Sequence, residues 1–339
     1  MRGVVTGGSG FIGFNLLQAL ADARRFDHLI SLDRVPPPAQ IRGCQHVQVD
    51  LRDHAGVQPH LQGADVVFHL AAAANVDAQA STLRVIEDNV AATGVLLEGA
   101  RQASVSRFVF ASTVWVYMGV EQPWLTEHTP LLPPVSLNLY AATKISSELL
   151  CRAYHQQLGL PCTILRFETP YGPHMRADLV VSRFLQQALR DESITIAGDG
   201  RQTRNFIYVR DLIDGVIAAG FAPIASGKTY NLPGPEPVSI RELADVIREA
   251  TRSPSPITFV DGRLHDSRGP QLSRALAESD LGWTPKVRIR DGIHYLLAWL
   301  LEESAHDAAG LQSIAAKEGY TWRTKALALK SSQNSIATP

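Results

Sequence analysis

At 339 residues, with 45% hydrophobic and 19% charged side chains, the chain is long enough to bury two cores rather than one. Its 33 acidic and 32 basic residues nearly cancel, so no field draws it to a polyanion or an anionic membrane, and nucleic acid is not an expected partner. The three cysteines, Cys44, Cys151 and Cys162, are far apart and show no CxxC spacing. That excludes a disulfide framework and a zinc site and leaves them as buried small hydrophobes. No apolar stretch reaches the length of a membrane span, and Met1 to Thr6 runs straight into a strand, so no membrane partner and a cytoplasmic location are expected.

Short apolar runs alternate with helical stretches up to about residue 170, which predicts repeated βαβ units around a parallel sheet. The predicted strands are Gly3 to Val5, His28 to Leu32, His46 to Val49, Asp65 to Leu70, Arg107 to Ala111 and Cys162 to Leu165. Helices are predicted at Phe14 to Ala23, Leu83 to Ala103 and Leu139 to Leu158, the last stopped by Gly159 and Pro161. The fold class is α/β: a Rossmann-type doubly wound parallel sheet with a smaller C-terminal α/β substrate-binding domain. After Arg166 the chain becomes punctuated by Pro and Gly, and Ser239 to Thr251 reads as a helix opened by a Ser239/Glu242 capping box. The expected division is 1–165 with a return segment 205–225, then 166–204 and 226–310, then an extension 311–339 whose end, from Ser331, carries no periodicity.

The first strand leads into Gly7, Gly8, Ser9, Gly10, Phe11, Ile12 and Gly13, the spacing G-x-x-G-x-x-G just before a helix. Gly7 permits the tight turn, Gly10 the close approach of a pyrophosphate, and Gly13 the packing of helix on sheet, with the helix amides facing the anion. Asp33 ends the second strand, twenty residues beyond Gly13, where a carboxylate accepts from the adenosine ribose hydroxyls and repels a 2′-phosphate. NAD is therefore the expected cofactor, although the neighbouring Arg34 is able to accommodate a phosphate. Asp50 and Leu51, at the end of the third run, are either a seat for adenine or a solvated strand end. The small residues after His69, namely Leu70, Ala71, Ala72 and Ala73, leave room for a cofactor crossing the sheet edge, while His69 reads as a satisfied core histidine.

Tyr140 and Lys144 lie four residues apart and hence on one helix face. A phenol is a weak acid, but a nearby ammonium favours its phenolate and makes it a usable base. Ser112 and Thr113 end the fifth strand, and either hydroxyl suits a hydrogen bond to the oxygen that Tyr140 deprotonates.

These residues resemble the extended short-chain dehydrogenase/reductases that act on nucleotide sugars, over roughly residues 1–300. The matching segments are Thr6-Gly-Gly-Ser-Gly-Phe-Ile-Gly13, Val66-Val-Phe-His-Leu-Ala-Ala72, Asn89, Tyr140-x-x-x-Lys144, Tyr171-Gly-Pro173, Gly198-Asp-Gly200, Arg204-Asn-Phe-Ile-Tyr-Val209 and Leu281-Gly-Trp283. The resemblance implies Thr113 as the catalytic hydroxyl, counted back from Tyr117. It implies Lys144 on the nicotinamide ribose, Asn89 shoring up the active-site backbone, and Arg204 and Arg268 clasping the substrate's diphosphate. It also implies a homodimer built on the two long helices.

Departures from the family pattern narrow the reaction. Dehydratases and UDP-glucuronate decarboxylases of the family carry an acidic residue two positions after the catalytic threonine, whereas this chain has Val114 and Trp115. The indole of Trp115 suits an apolar wall beside a sugar. Met118 intervenes before Gly119, and Phe167-Glu168-Thr169 replaces the usual Phe-Asn region, so Glu168 either meets a sugar hydroxyl or amine or forms a salt bridge. The expected activity is an NAD-dependent 4-epimerase of a UDP- or TDP-sugar. The alternatives are a 4-ketoreductase, decarboxylase or dehydratase of the family, and, in a different class, a non-catalytic cofactor sensor.

Overall fold

The computed structural model describes residues 1–74, 82–120, 122–131, 138–262 and 271–310, with side chains up to residue 302. Arg268 and the extension 311–339 lie outside the described residues. The chain forms two compact units, one of Met1–Pro170, Val209–Pro233 and Pro270–Pro285, the other of Tyr171–Tyr208, Gly234–Gly269 and Lys286–Pro339.

The first unit is built on seven strands: β1 (Arg2–Thr6), β2 (His28–Asp33), β3 (Cys44–Gln48), β4 (Val66–His69), β5 (Arg107–Thr113), β6 (Cys162–Phe167) and β7 (Thr229–Leu232). They lie in the order β7-β6-β5-β4-β1-β2-β3, and every pairing is parallel. Strands buried on both faces need continuous apolar sequence, which is what Val66 to Phe68 and Phe108 to Ala111 supply. The strand order reverses beside β1, so β2 and β4 flank it and a crevice opens at their carboxyl ends. The boundary drawn at 225/226 falls inside the segment Val209–Pro233, because Thr229–Leu232 completes the sheet beside β6. A lone four-residue strand inside a Gly- and Pro-rich stretch gives no periodic signal of its own.

Helices α1 (Phe11–Asp22), α2 (His54–Leu61), α3 (Ala92–Gln102), α4 (Leu139–Leu158) and α5 (Val209–Phe221) belong to this unit. The predicted helix at Leu83 to Ala103 is interrupted: Thr82–Ile86 and α3 are joined by a π-helical turn, Glu87–Ala91. Such a wide turn marks functional positions in many helices, and Asn89 sits within it. Helix α4 has the predicted ends, capped by Asn138, whose side chain accepts from the Ala141 amide, and closed by Gly159 in the left-handed region. The helix α2, interrupted in composition by Pro59, has no counterpart in the sequence reading. Cys151 and Cys162 are buried as expected, but Cys44 is only half-buried, because β3 is the edge strand and has a neighbour on one side alone.

The second unit packs helices Val180–Leu189, Ile240–Ala250 and Ile289–Gly310 around a core that includes Phe184, Phe206, Leu243 and Ile293. Ser239 caps the second of these helices by accepting from the Glu242 amide at 3.0 Å. No described helix is long and apolar enough to cross a membrane.

A buried polar network ties α4 to the sheet. Glu148, 1% exposed, accepts from Arg166 Nε at 2.9 Å and Nη2 at 2.6 Å and from the Ser112 hydroxyl at 2.6 Å. Arg166, also 1% exposed, donates through Nη1 to the Tyr117 hydroxyl at 2.6 Å, and that hydroxyl lies 2.8 Å from Asn231 Oδ1 on β7. Burial opposes the guanidinium's charge, yet the Glu148 carboxylate more than offsets this and holds its pKa above the ordinary value. Breaking such a pair leaves one charge buried alone. Glu148→Gln should lower unfolding stability by about 3–5 kcal/mol, and joint replacement of Glu148 and Arg166 by Met should recover most of that loss. Urea unfolding of the three variants checks this, and a single-variant loss below about 1 kcal/mol would show the pair to be screened.

Candidate active site

The glycine loop takes the form that the spacing requires. Gly7 has φ +72°, and a side chain there would meet the Ala71 backbone at 2.7 Å, so the turn after β1 and the segment after β4 approach more closely than any other residue permits. A side chain at Gly13 would run into the Gly7 carbonyl oxygen. The N-cap of α1 is Gly10, which has no side chain to satisfy the first-turn amides. Those amides, of Phe11, Ile12 and Gly13, are left for an anion, so the cradle fits a pyrophosphate.

Asp33 stands at the end of β2 beside this loop. Its Oδ2 accepts from the Ser9 amide at 3.0 Å and its Oδ1 from Val35 at 3.3 Å, which aims the carboxylate and leaves lone pairs for ribose hydroxyls. Arg34 is adjacent, but its Nη1 donates to both oxygens of Asp88, at 3.1 and 3.0 Å. Asp50 is likewise occupied: Arg52 donates to Oδ1 from Nε at 3.0 Å and to Oδ2 from Nη2 at 2.6 Å, and these bonds hold the carboxyl well below its usual range. Leu51, 7% exposed, packs into the core with Val57 and Leu61.

The segment after β4 is held from three sides. Leu70 donates its amide to the Thr6 carbonyl at 3.2 Å, and the Ala71 amide lies 3.4 Å from Thr6 Oγ1. Asn89 accepts from the Ala73 amide at 2.7 Å and donates to the Ala73 carbonyl at 3.2 Å and the Thr143 hydroxyl at 3.0 Å. One buried amide thus fixes the cofactor-side backbone to α4. Ala72 follows between these fixed points. His69 is satisfied, as expected, with Nδ1 2.7 Å from Thr6 Oγ1 and Nε2 2.9 Å from Thr93 Oγ1. Thr93 Oγ1 donates to the Asn89 carbonyl at 2.6 Å, so it accepts from Nε2–H, and Nδ1 accepts from Thr6. Burial, reinforced by the Lys144 charge, pulls the imidazole pKa down to about 3, which keeps it in this neutral tautomer.

On α4, Lys144 is 3% exposed and donates to the Ala111 carbonyl at 2.7 Å. Its ammonium lies 4.8 Å from the Phe110 ring centre and 5.8 Å from that of Tyr140. Burial pushes its pKa down to about 8. Of the two hydroxyls ending β5, Ser112 is committed to Glu148, whereas Thr113, 5% exposed, caps the short 3₁₀ turn Val114–Tyr117 by accepting from the Trp115 amide at 3.3 Å. Alternation along the strand sends these neighbours to opposite faces. The Trp115 indole is 44% exposed. Glu168 and Thr169, half-buried, follow β6 directly. In the second unit, Arg204 lies on a two-residue strand paired with Val238–Ser239, with Nη1 2.7 Å from the Thr203 carbonyl.

Three contributors escaped the sequence reading: Asp88, Thr143 and the Glu148–Arg166 pair. Asp88 and Glu148 carried a signal, their i,i+4 spacing from Arg84 and Arg152. Thr143 and the pairing of Glu148 with Arg166 become visible only when α4 is laid on the sheet.

Because the native Lys144 binds its proton less tightly than the unfolded chain does, its contribution to stability is unfavourable below pH 8 and relieved as pH rises from about 8 toward 10.5. Relative to Lys144→Met, the wild-type protein should gain on the order of 1–3 kcal/mol of unfolding stability across that interval. Urea melts at several pH values check it, and parallel curves for the two proteins would contradict it.

Comparison with known proteins agrees with this fold. The NAD dependent epimerase/dehydratase family matches residues 4–232. A Bacillus subtilis protein described as an uncharacterised UDP-glucose epimerase is 32% identical over 314 residues, covering 88% of this chain and 98% of its own length. The UDP-glucose 4-epimerase of Thermotoga maritima, solved with UDP-glucose, superposes with a TM-score of 0.81 at 26% identity, over 89% of this chain and 99% of its own. A dTDP-glucose 4,6-dehydratase of Streptomyces venezuelae, solved with NAD bound, gives 0.81 at 31% identity, over 90% and 98%. The chain belongs to the NAD dependent epimerase/dehydratase family and is a nucleotide-sugar enzyme of that NAD-dependent group.

Proposed function

We propose that this protein is a nucleotide-sugar 4-epimerase that retains its NAD and acts on a UDP- or dTDP-activated hexose, as a homodimer in the cytoplasm. The observation that carries the reading is the residue set around Thr113: a hydroxyl, a phenol and an ammonium, with Trp115 where an acid would stand. Two neighbouring carboxylates, Glu148 and Glu127, have partners of their own. Glu148 holds Arg166 and Ser112, and Glu127 accepts from the Asn231 amide at 2.8 Å. Eliminating water or assisting carbon dioxide loss would call on a further acid or base, and exchange of hydrogen at one carbon does not.

The amides after Gly10 would hold the pyrophosphate, Asp33 the adenosine ribose, and Lys144 the nicotinamide ribose. A bound nicotinamide supplies one chemistry, removal of a hydride from C4 of the sugar and its return to the other face. Tyr140 would take the proton from the C4 hydroxyl and later give it back, while the Lys144 ammonium lowers the cost of its phenolate. The Thr113 hydroxyl would hydrogen-bond the same sugar oxygen and hold it in line. Arg204 and Arg268 would bind the diphosphate of the substrate.

Incubating purified protein with UDP-glucose, UDP-glucuronic acid and dTDP-glucose, without added nicotinamide, should give the C4 epimer of at least one, with no gas released and no keto sugar accumulating. Tyr140→Phe should lower the rate by about 10²–10⁴-fold. A requirement for added NADPH, or release of carbon dioxide, would overturn the reading.

A further inference from the structure

We propose that Asp88 is a cofactor-specificity residue, which excludes NADP by holding Arg34 away from the position of a 2′-phosphate. The inference rests on the placement of the adenosine ribose at Asp33. An arginine next to that acid is the side chain that accommodates a 2′-phosphate in dinucleotide folds, so Asp33-Arg34 by itself is an ambiguous pair. What resolves it is a carboxylate 54 positions away in sequence.

Asp88 sits in the π-helical turn next to Asn89. The turn presents these neighbours to different duties, Asn89 to the Ala73 backbone and Asp88 to the arginines. The Asp88 side chain is 9% exposed, against 44% for Arg34. It takes both bonds from Arg34 Nη1, and Arg84 Nε approaches it at 3.1 Å. Arg52 stands 3.7 Å from it, while spending its main bonds on Asp50 and on Glu87 at 2.6 Å each. Three guanidinium groups are therefore met by Asp50, Glu87 and Asp88, and Asp33 adds a fourth carboxylate on the ribose side. Among Arg34, Arg52 and Arg84, no guanidinium is left without a carboxylate for an incoming phosphate. Such a phosphate would have to draw Arg34 from a nearly buried carboxylate while facing the charge of Asp33.

An isolated exposed ion pair would be a weak restraint, since such pairs contribute little in water. Here the acceptor is largely desolvated and shared by several donors, which is the circumstance in which an ion pair holds geometry. The backbone adds to it: the Arg34 carbonyl accepts from Gln48 Nε2 at 2.9 Å, so the main chain that carries the guanidinium is pinned as well.

The test loads full-length protein with an equimolar mixture of NADH and NADPH, removes unbound nucleotide by gel filtration, and measures the ratio released on denaturation by chromatography. Wild-type protein should carry NADH almost alone. Asp88→Ala should raise the NADPH share about tenfold or more, the scale of one freed charge-assisted contact, and Asp88→Ala with Arg34→Ala should lose that gain. Arg34→Ala alone should leave the wild-type ratio within about twofold, because the restrained side chain reads no phosphate. An unchanged ratio in Asp88→Ala, or a tenfold change in Arg34→Ala alone, overturns the proposal, and the second arm stands even if the first variant fails to fold. Asp33→Ala separates this from its premise: if that substitution also leaves the ratio unchanged, the ribose is not at Asp33; if it shifts the ratio while Asp88→Ala does not, only the role of Asp88 falls.

Discussion

The bond from the Lys144 ammonium to the Ala111 carbonyl is the constraint on which the rest of the site depends. A buried ammonium needs acceptors, and the last turn of strand β5 offers one where the strand ends in Ser112 and Thr113. One helical turn further, Glu148 reaches the same strand through Ser112 and its neighbour through Arg166. Helix α4 is thus pegged to the sheet at two points, and Tyr140 lies one turn before Lys144 on that pegged helix. Polar groups that would be a liability in a core become registration pins, because each is paired with complementary geometry.

A second set of pins comes from the cofactor side. The line Thr6, His69, Thr93, Asn89 runs from the end of β1 through β4 to the wide helical turn, with every donor and acceptor assigned. From Asn89 it continues to Thr143, and so to the same face of α4 that carries Lys144. The glycine loop and helix α4 are therefore joined through hydrogen bonds rather than through apolar packing alone. Cofactor position and phenol position are set together, which suits a reaction in which a proton and a hydride leave neighbouring atoms.

Much of this was legible in the sequence, for reasons of period and spacing. Six strands and the helix Leu139–Leu158 were readable because buried parallel strands are apolar throughout and because Gly159 and Pro161 punctuate the helix end. The glycines could be assigned individually, since each meets a different steric demand. Strand β7 was not readable, being four residues whose pairing partner lies more than sixty positions upstream. The choice between Ser112 and Thr113 needed the family pattern in the sequence. In the structure Glu148 accepts from the serine hydroxyl, a bond that supports the proposed role of Thr113. Arg34 was ambiguous for the same reason: local sequence shows an arginine beside an acid, and only the fold supplies Asp88. Polar partnerships across distant elements are what sequence periodicity does not encode.

The central claim is that hydride leaves and returns to one carbon within a single active site. A nucleotide sugar deuterated at C4, turned over in ordinary water without added nicotinamide, tests it most directly. The account predicts a C4-epimerised product that keeps its deuterium at C4. Deuterium lost to solvent, or found at another carbon of the sugar, would contradict it.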